Sequence, residues 1–476
     1  MGDLMQADIV IRGGKVVSAD AVFEADVAIT GEKIVAVGAD LTGTRVIDAA
    51  GRYVMPGAID SHVHFRAPGY DYKEDWQTGT GGAARGGVTT VLEMPNTNPP
   101  TGTLEALKIK REIAERQAYV DFGIYGLLDE ENIDALDALV DAGVSGFKCF
   151  MGNTFGNLPA PSDGAMLEGF EILARRGMRC TVHAENPSIM ARRQAKLEAA
   201  GRSDPLAHLA ARPEVCAIEA VSRAVVFAEW TGARLHIAHK SSKDALYVLR
   251  DAKQRGVDVT VETCPQYLLL STKDHEKLGN VLRVNPPIRE PGHQEALWQA
   301  LHEGVVDMIA TDHAPHLPEE KTRASCWQCD CGFPGVETQM PLMLTEVNRG
   351  RMSISDYVRW ASVNPAKAWG LYPNKGALQA GSDADIVLVD AKREWTLDQS
   401  QLFSKSKISP WHGRRVQGAP VLTVVRGRVV MEGGRIVAEP GWGKPARQNM
   451  PAPAPRNADK TTAAITAARE AIRKVG

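Results

Sequence analysis

The chain has little that would tie it to nucleic acid or to a lipid surface. Its 476 residues carry 55 Lys and Arg against 58 Asp and Glu, a formal net charge of -3, so the charge balance offers polyanions nothing to bind. No apolar run is long enough to cross a bilayer, and the opening MGDLMQADIVIRGG lacks the basic and apolar regions of a secretory signal. Gln6 also stands where N-myristoylation needs Ser or Thr. These absences predict a cytoplasmic protein with no nucleic-acid and no membrane partner. Cysteine is scarce too. The count is seven, and Cys149, Cys180, Cys216 and Cys264 sit in apolar runs, which argues against a disulfide framework and for reduced, buried thiols. Cys326, Cys329 and Cys331, in SCWQCDCG, lack a nearby fourth ligand and read as a loop feature rather than a zinc site.

What is present is ordinary globular composition, 44% hydrophobic and 24% charged, enough for a large core and an accessory domain. Residues 1–55 read as short strands between Gly-marked turns, and the same texture returns over 371–440 in DADIVLVD and VLTVVRGRVVMEGGRIV. The two ends are therefore expected to form one small β domain. Between them, over 56–370, eight apolar runs alternate with amphipathic stretches such as LEALKIKREIAERQA and KDALYVLRDAKQRG. The runs are AIDSHVHF, VTTVLEMP, DFGIYGLL, GFKCFMG, RCTVHAEN, RLHIAHKSS, VDVTVETCP and VVDMIATDHAP. The alternation alone also fits a doubly wound sheet. A (β/α)8 TIM barrel is favoured because His62, His64, Asn96, Lys148, His183, His239 and Asp312 all fall near the ends of runs, where that fold carries its chemistry. Residues 441–476 read as a Pro/Ala-rich tail.

In PGAIDSHVHFR, His62 and His64 alternate along an extended chain and face one side; Arg66 continues that parity if the strand persists. Alone, such a pair is as readily a pair of core histidines as a metal site. His183 and His239, each ending a predicted strand, change that balance, because four imidazoles at one rim suit zinc or a similar metal. His236 is offset by three from His239 and so points to the opposite strand face, where it either packs or supports the ligands from behind.

Lys148 is flanked by apolar residues in VSGFKCFMG, and a bare ammonium there is costly to bury and wrong in charge for a metal site. Carbamylation by carbon dioxide would convert it into an anionic ligand able to bridge two metals. Asp312, in MIATDHAPH, can ligate one ion and accept a proton from the attacking water, which makes it the expected catalytic residue. Two divalent ions, one carbamate, one carboxylate and a hydroxide leave a site of about +1, tolerant of an anionic substrate. Metal-assisted amide hydrolysis is the reaction this set suits.

HVH, GFKCF, TVHAEN, HIAHKSS and ATDHAPH together resemble the binuclear site of the amidohydrolase superfamily, in particular its cyclic amidohydrolases, over nearly the whole chain. The resemblance implies His62, His64, Lys148, His183, His239 and Asp312 as ligands of two divalent ions, zinc being expected, with Lys148 carbamylated. Within that group HFR, MPNT at 94–97, VNPPIRE and ATDHAPHLPEEK look like dihydroorotase. That similarity implies an anionic cyclic amide as substrate, its carboxylate held by Arg66 and Asn96, with Asn285 and His316 completing the pocket, and a homo-oligomer is expected. Allantoinase, hydantoinase or dihydropyrimidinase, and an imide hydrolase are the alternatives, followed by a non-catalytic homologue. The Cys-rich loop, the tail, and KISPWHG, which resembles the allantoinase version of its segment equally well, depart from the dihydroorotase pattern.

Overall fold

The computed structural model describes residues 7–449 apart from Asn153 and Asn157. The chain opens with β1 (Ala7–Val17), β2 (Val22–Thr30), β3 (Lys33–Gly38), β4 (Gly43–Asp48) and β5 (Tyr53–Pro56). Each of the eight apolar runs then becomes a strand: β6 (Ala58–Val63), β7 (Val88–Glu93), β8 (Asp121–Leu128), β9 (Gly146–Phe150), β10 (Arg179–His183), β11 (Arg234–Ile237), β12 (Val259–Thr263) and β13 (Met308–Ile309). They line up in chain order as one parallel sheet. Every residue of β6 through β10 is buried, which is why these strands read as continuous apolar runs rather than as alternation: a parallel sheet is covered on both faces.

The short β13 meets β6 through the segments that follow them. The His64 N–H donates to the His313 carbonyl at 2.7 Å and the His313 N–H to the His62 carbonyl at 3.3 Å. Asp60 adds a side-chain tie, accepting from the Thr311 hydroxyl at 2.5 Å and the Thr311 N–H at 3.1 Å. The barrel is thus closed where HVH meets ATDH, and closure brings the first and last ligand candidates together. The helices between strands carry the expected signals. Leu104–Gln117 is capped by Thr103, whose hydroxyl accepts from the Ala106 N–H at 3.2 Å, and it buries Leu107 and Ala114 against the barrel.

β14 (Ile386–Thr396), β15 (Arg415–Val425), β16 (Arg428–Glu432) and β17 (Arg435–Ile436) complete the strands of the described residues. β14 runs antiparallel to β5, with Ile386 opposite Pro56 and Leu388 opposite Val54, so both chain ends share one nine-stranded sheet beside the barrel. Ile11, Val27, Ile34, Val54, Ile386, Leu388 and Val424 give that sheet its own core. The segment 441–449, expected as the start of a tail, instead lies against β8: the Phe122 N–H donates to the Lys444 carbonyl at 3.0 Å and the Lys444 N–H to Asp121 at 2.9 Å. The rest of the expected tail, from residue 450, is outside the described residues. Among the described residues no helix is long and apolar enough to cross a membrane.

Candidate active site

One hollow of about 40 Å³ at the C-terminal end of the strands is lined by His62, His64, Lys148, His183, His239 and Asp312 together with Arg66, Asn96 and Asn285. All six expected ligands and three of the four expected substrate contacts therefore meet. Their supports differ. His62 lies within β6, Lys148 within β9 and His183 at the end of β10, whereas His64, His239 and Asp312 lie just beyond their strands. Positive φ at non-glycine residues gathers here: Arg66 (65°), His239 (35°) and Asp312 (49°) all face the hollow. Such backbone costs roughly 1–3 kcal/mol per residue and persists where the surroundings impose it.

The polar atoms converge. His62 Nε2 and His64 Nε2 lie 3.3 and 3.1 Å from Asp312 Oδ1. His183 Nδ1 lies 2.9 Å from His239 Nε2, so two ring nitrogens face each other. Burial pushes His64 down to about 3 and holds His183 and His239 below the ordinary imidazole range, so these rings are neutral donors of the kind a divalent ion takes. Ligand atoms of His62, His239 and Asp312 fall within 4.8 Å of one another. Lys148 Nζ is fully buried and has no hydrogen-bond partner among the described residues. Burial pulls it down to about 8, against the pull of Glu262 and Asp312. Neutral imidazoles, a carboxylate and an unsatisfied amine fit a divalent metal cluster well.

These groups are held from behind by Glu262 and Glu185, which the sequence did not single out, and by Asn96, which it marked as a substrate contact. Glu262 of β12 accepts from His62 Nδ1 at 2.5 Å. Glu185, two residues after His183, takes His183 Nε2 at 3.0 Å and pairs with Arg212. Asn96 Oδ1 accepts from His64 Nδ1 at 2.7 Å, and its amide donates to the Phe155 carbonyl at 3.3 Å. A carboxylate inside a β-branched strand, as in VTVET, and one sharing the parity of His183 were the available signals. His236, expected either to pack or to support the ligands, does the latter: it donates to Glu262 at 3.0 Å and accepts from the Thr260 hydroxyl at 2.8 Å.

Two expectations change. β6 ends at Val63 and Arg66 is left-handed, so Arg66 reaches the hollow by a turn rather than by strand parity. The turn is pinned by Phe65, whose ring lies where a Cβ on Gly79 would sit, at 2.2 Å. His316 does not line the hollow: it is completely buried behind Arg66, 3.0 Å from the guanidinium, with Lys73 3.0 Å and Asp330 3.1 Å away on its other nitrogen. Arg66 also stacks 4.4 Å from the centre of the Phe155 ring. Cys331 of the Cys-rich loop lines the hollow, which the sequence reading did not anticipate.

The amidohydrolase family matches residues 53–430. The L-hydantoinase of Paenarthrobacter aurescens is 39% identical over 450 residues, covering 93% of this chain and 94% of its own. An allantoinase of Deinococcus radiodurans is 37% identical over 400 residues, covering 83% of this chain and 88% of its own. The solved structure of an L-hydantoinase (dihydropyrimidinase) from Arthrobacter aurescens shares the fold with a TM-score of 0.91 at 38% identity, over 93% of this chain and 100% of that one. Together with the barrel and its rim of histidines, these similarities establish that the chain belongs to the amidohydrolase family, among its cyclic amidohydrolases.

Proposed function

We propose that the protein hydrolyses the ring amide of 5-substituted hydantoins, giving the N-carbamoyl amino acid, and that dihydroorotate is not its substrate. One observation carries the choice. The carboxylate fork that dihydroorotate would require is already engaged: both ends of the Asn96 amide are taken, by His64 and by the Phe155 carbonyl, and one Arg66 nitrogen is held by His316. The likeness to an L-hydantoinase and to allantoinases supports the same ring, allantoin being a hydantoin with a ureido group at C5. Phe150, Phe155 and Ala314 on the lining favour an apolar C5 substituent over the ureido group.

Two divalent ions, zinc being the expected metal, belong to this reading, with His62, His64, carbamylated Lys148, His183, His239 and Asp312 as their ligands. When bound, such ions lower the pKa of water and polarise a carbonyl. The chain's own part is proton handling and placement. Asp312, whose Oδ1 lies 3.3 and 3.1 Å from Nε2 of His62 and His64, accepts the proton of the attacking water and delivers it to the ring nitrogen as the C–N bond breaks. Asn96 and Glu262 keep Nδ1 of His64 and His62 occupied and leave Nε2 bare toward the hollow. Arg66 retains one buried nitrogen with no partner among the described residues, a single donor for a carbonyl of the substrate.

The test is a substrate panel on metal-analysed protein: 5-benzylhydantoin, allantoin, dihydrouracil and dihydroorotate. The expected order of kcat/KM places 5-benzylhydantoin first and dihydroorotate last. Dihydroorotate turned over best would return the assignment to dihydroorotase.

A further inference from the structure

We infer that Glu262 is the positioning residue of the metal site, setting the tautomer of His62 and the seat of His239 together, and that its charge contributes to metal affinity beyond its shape. The inference rests on the metal reading above and is independent of which cyclic amide is hydrolysed. Glu262 is completely buried and its two oxygens take four donors. Oε1 accepts from His62 Nδ1 at 2.5 Å and from the backbone N–H of His239 at 3.1 Å. Oε2 accepts from His236 Nε2 and from the Ser61 hydroxyl, each at 3.0 Å. One carboxylate of β12 thus joins β6, which carries His62, to β11 and the turn that carries His239.

The consequence for His62 follows from proton bookkeeping. A neutral imidazole has one N–H, and the hydrogen bond to Glu262 fixes it on Nδ1. Nε2 is left with its lone pair, and Nε2 is the atom that faces Asp312 and the hollow at 3.3 Å. The same oxygen seats the His239 backbone, whose φ of 35° needs an external restraint. His236 braces the other oxygen and is itself held by Thr260 at 2.8 Å, so the carboxylate cannot swing away from His62. All four contacts come from donors, an arrangement that suits a carboxylate rather than a carboxylic acid. A charged acceptor on Nδ1 makes Nε2 a stronger base toward a cation than a neutral acceptor does.

Shape and charge separate in two variants. In Glu262→Gln the amide oxygen stays on His62 Nδ1 and the His239 N–H, while the amide NH2 meets Ser61 and His236. Both can accept, Ser61 by rotating its hydroxyl and His236 by moving its proton to Nδ1 toward Thr260, so the fold and the His62 tautomer survive and only the charge is lost. Glu262→Ala removes both. The experiment is Zn2+ affinity by chelator competition, with thermal unfolding of the metal-free proteins alongside. Expected results are affinity weakened about tenfold in Glu262→Gln and about a hundredfold in Glu262→Ala, with metal-free Glu262→Gln melting close to the parent. Parental Zn2+ affinity in Glu262→Gln, or an affinity loss matched by an equal loss of metal-free stability, overturns the inference. Should Glu262→Ala fail to fold, Glu262→Gln decides alone. A parent protein that binds no divalent metal would instead sink the metal reading, which this experiment distinguishes.

Discussion

Beside Asp121, the first residue of β8, Lys375 is 4% exposed and lies 2.6 Å from Asp385, 2.7 Å from Asp121 and 3.2 Å from Asp383. At the opposite end of the barrel Lys148 is completely buried and has no hydrogen-bond partner among the described residues. Burial opposes the ammonium in both places. At Lys375 three carboxylates overcome it and raise the amine above its ordinary range, whereas at Lys148 burial prevails and the amine falls to about 8. Arg426 completes the first cluster, with Nε 3.0 Å from Asp121 and its backbone N–H donating to Asp385 at 2.8 Å. One end of the barrel has its charges matched within the protein, joining it to the β14–β17 sheet. The other gathers imidazole nitrogens around a carboxylate and a lysine with no hydrogen-bond partner among the described residues, the pattern expected of a binding site rather than of a structural ion network.

The largest effect that would sharpen this contrast is expected at Lys148. Lys148→Met should lower kcat/KM by at least about a thousandfold, roughly 4 kcal/mol of barrier, together with bound metal. The metal-free variant should be no less stable than its parent. Metal analysis and steady-state kinetics on the panel's best substrate check the first part, and denaturant unfolding checks the second. A fully metallated, active Lys148→Met would remove Lys148 from the site.

Lys375→Met should do the reverse. Removing the cation leaves Asp385 buried beside Asp121 and Asp383 with no side-chain cation of its own, a loss of about 3–5 kcal/mol in stability, while kcat per folded molecule stays near the parental value because Lys375 does not line the hollow. Urea unfolding and active-site metal content measure both sides. If Lys375→Met kept parental stability, the matched-charge account of that end of the barrel would fail.

Much of this arrangement was legible in the sequence, and the reasons are physical. A parallel barrel needs strands buried on both faces, so its eight runs stand out, and a fold that places chemistry at strand ends turns HVH, HAEN and ATDH into one site without knowledge of side-chain packing. Partners across strands were not legible. That Asn96 supports His64, that Glu262 supports His62 and that His316 lies behind Arg66 depend on register and on the left-handed turn at Arg66, neither of which leaves a periodic mark. The relatives favour the hydantoinase and allantoinase alternatives over the dihydroorotase expectation, which counted Arg66 and Asn96 as free where the structure gives both hydrogen-bond partners. Lys375 and Asp121 were passed over because they are more than 250 residues apart.

The contrast between the lysines also predicts a pH dependence, whose sign follows from proton counting in the metal-free protein. Lys148 titrates near 10.5 when unfolded and near 8 when folded. Between those values the unfolded chain binds more protons than the folded one, so stability rises as pH rises. The contribution is complete above the unfolded value and is lost as pH falls through about 8; a shift of this size corresponds to about 3 kcal/mol at most. Lys240 and Lys321, also lowered by burial, add slopes of the same sign, so the parent alone cannot isolate the effect. The difference between metal-free parent and Lys148→Met does, because the other groups are common to both. Urea unfolding at pH 7.5 and pH 9.5 should show the parent gaining on the variant by about 1–2 kcal/mol. Equal slopes in the two proteins would mean that Lys148 already has a partner in the metal-free state, and the distinction between the two ends of the barrel would collapse.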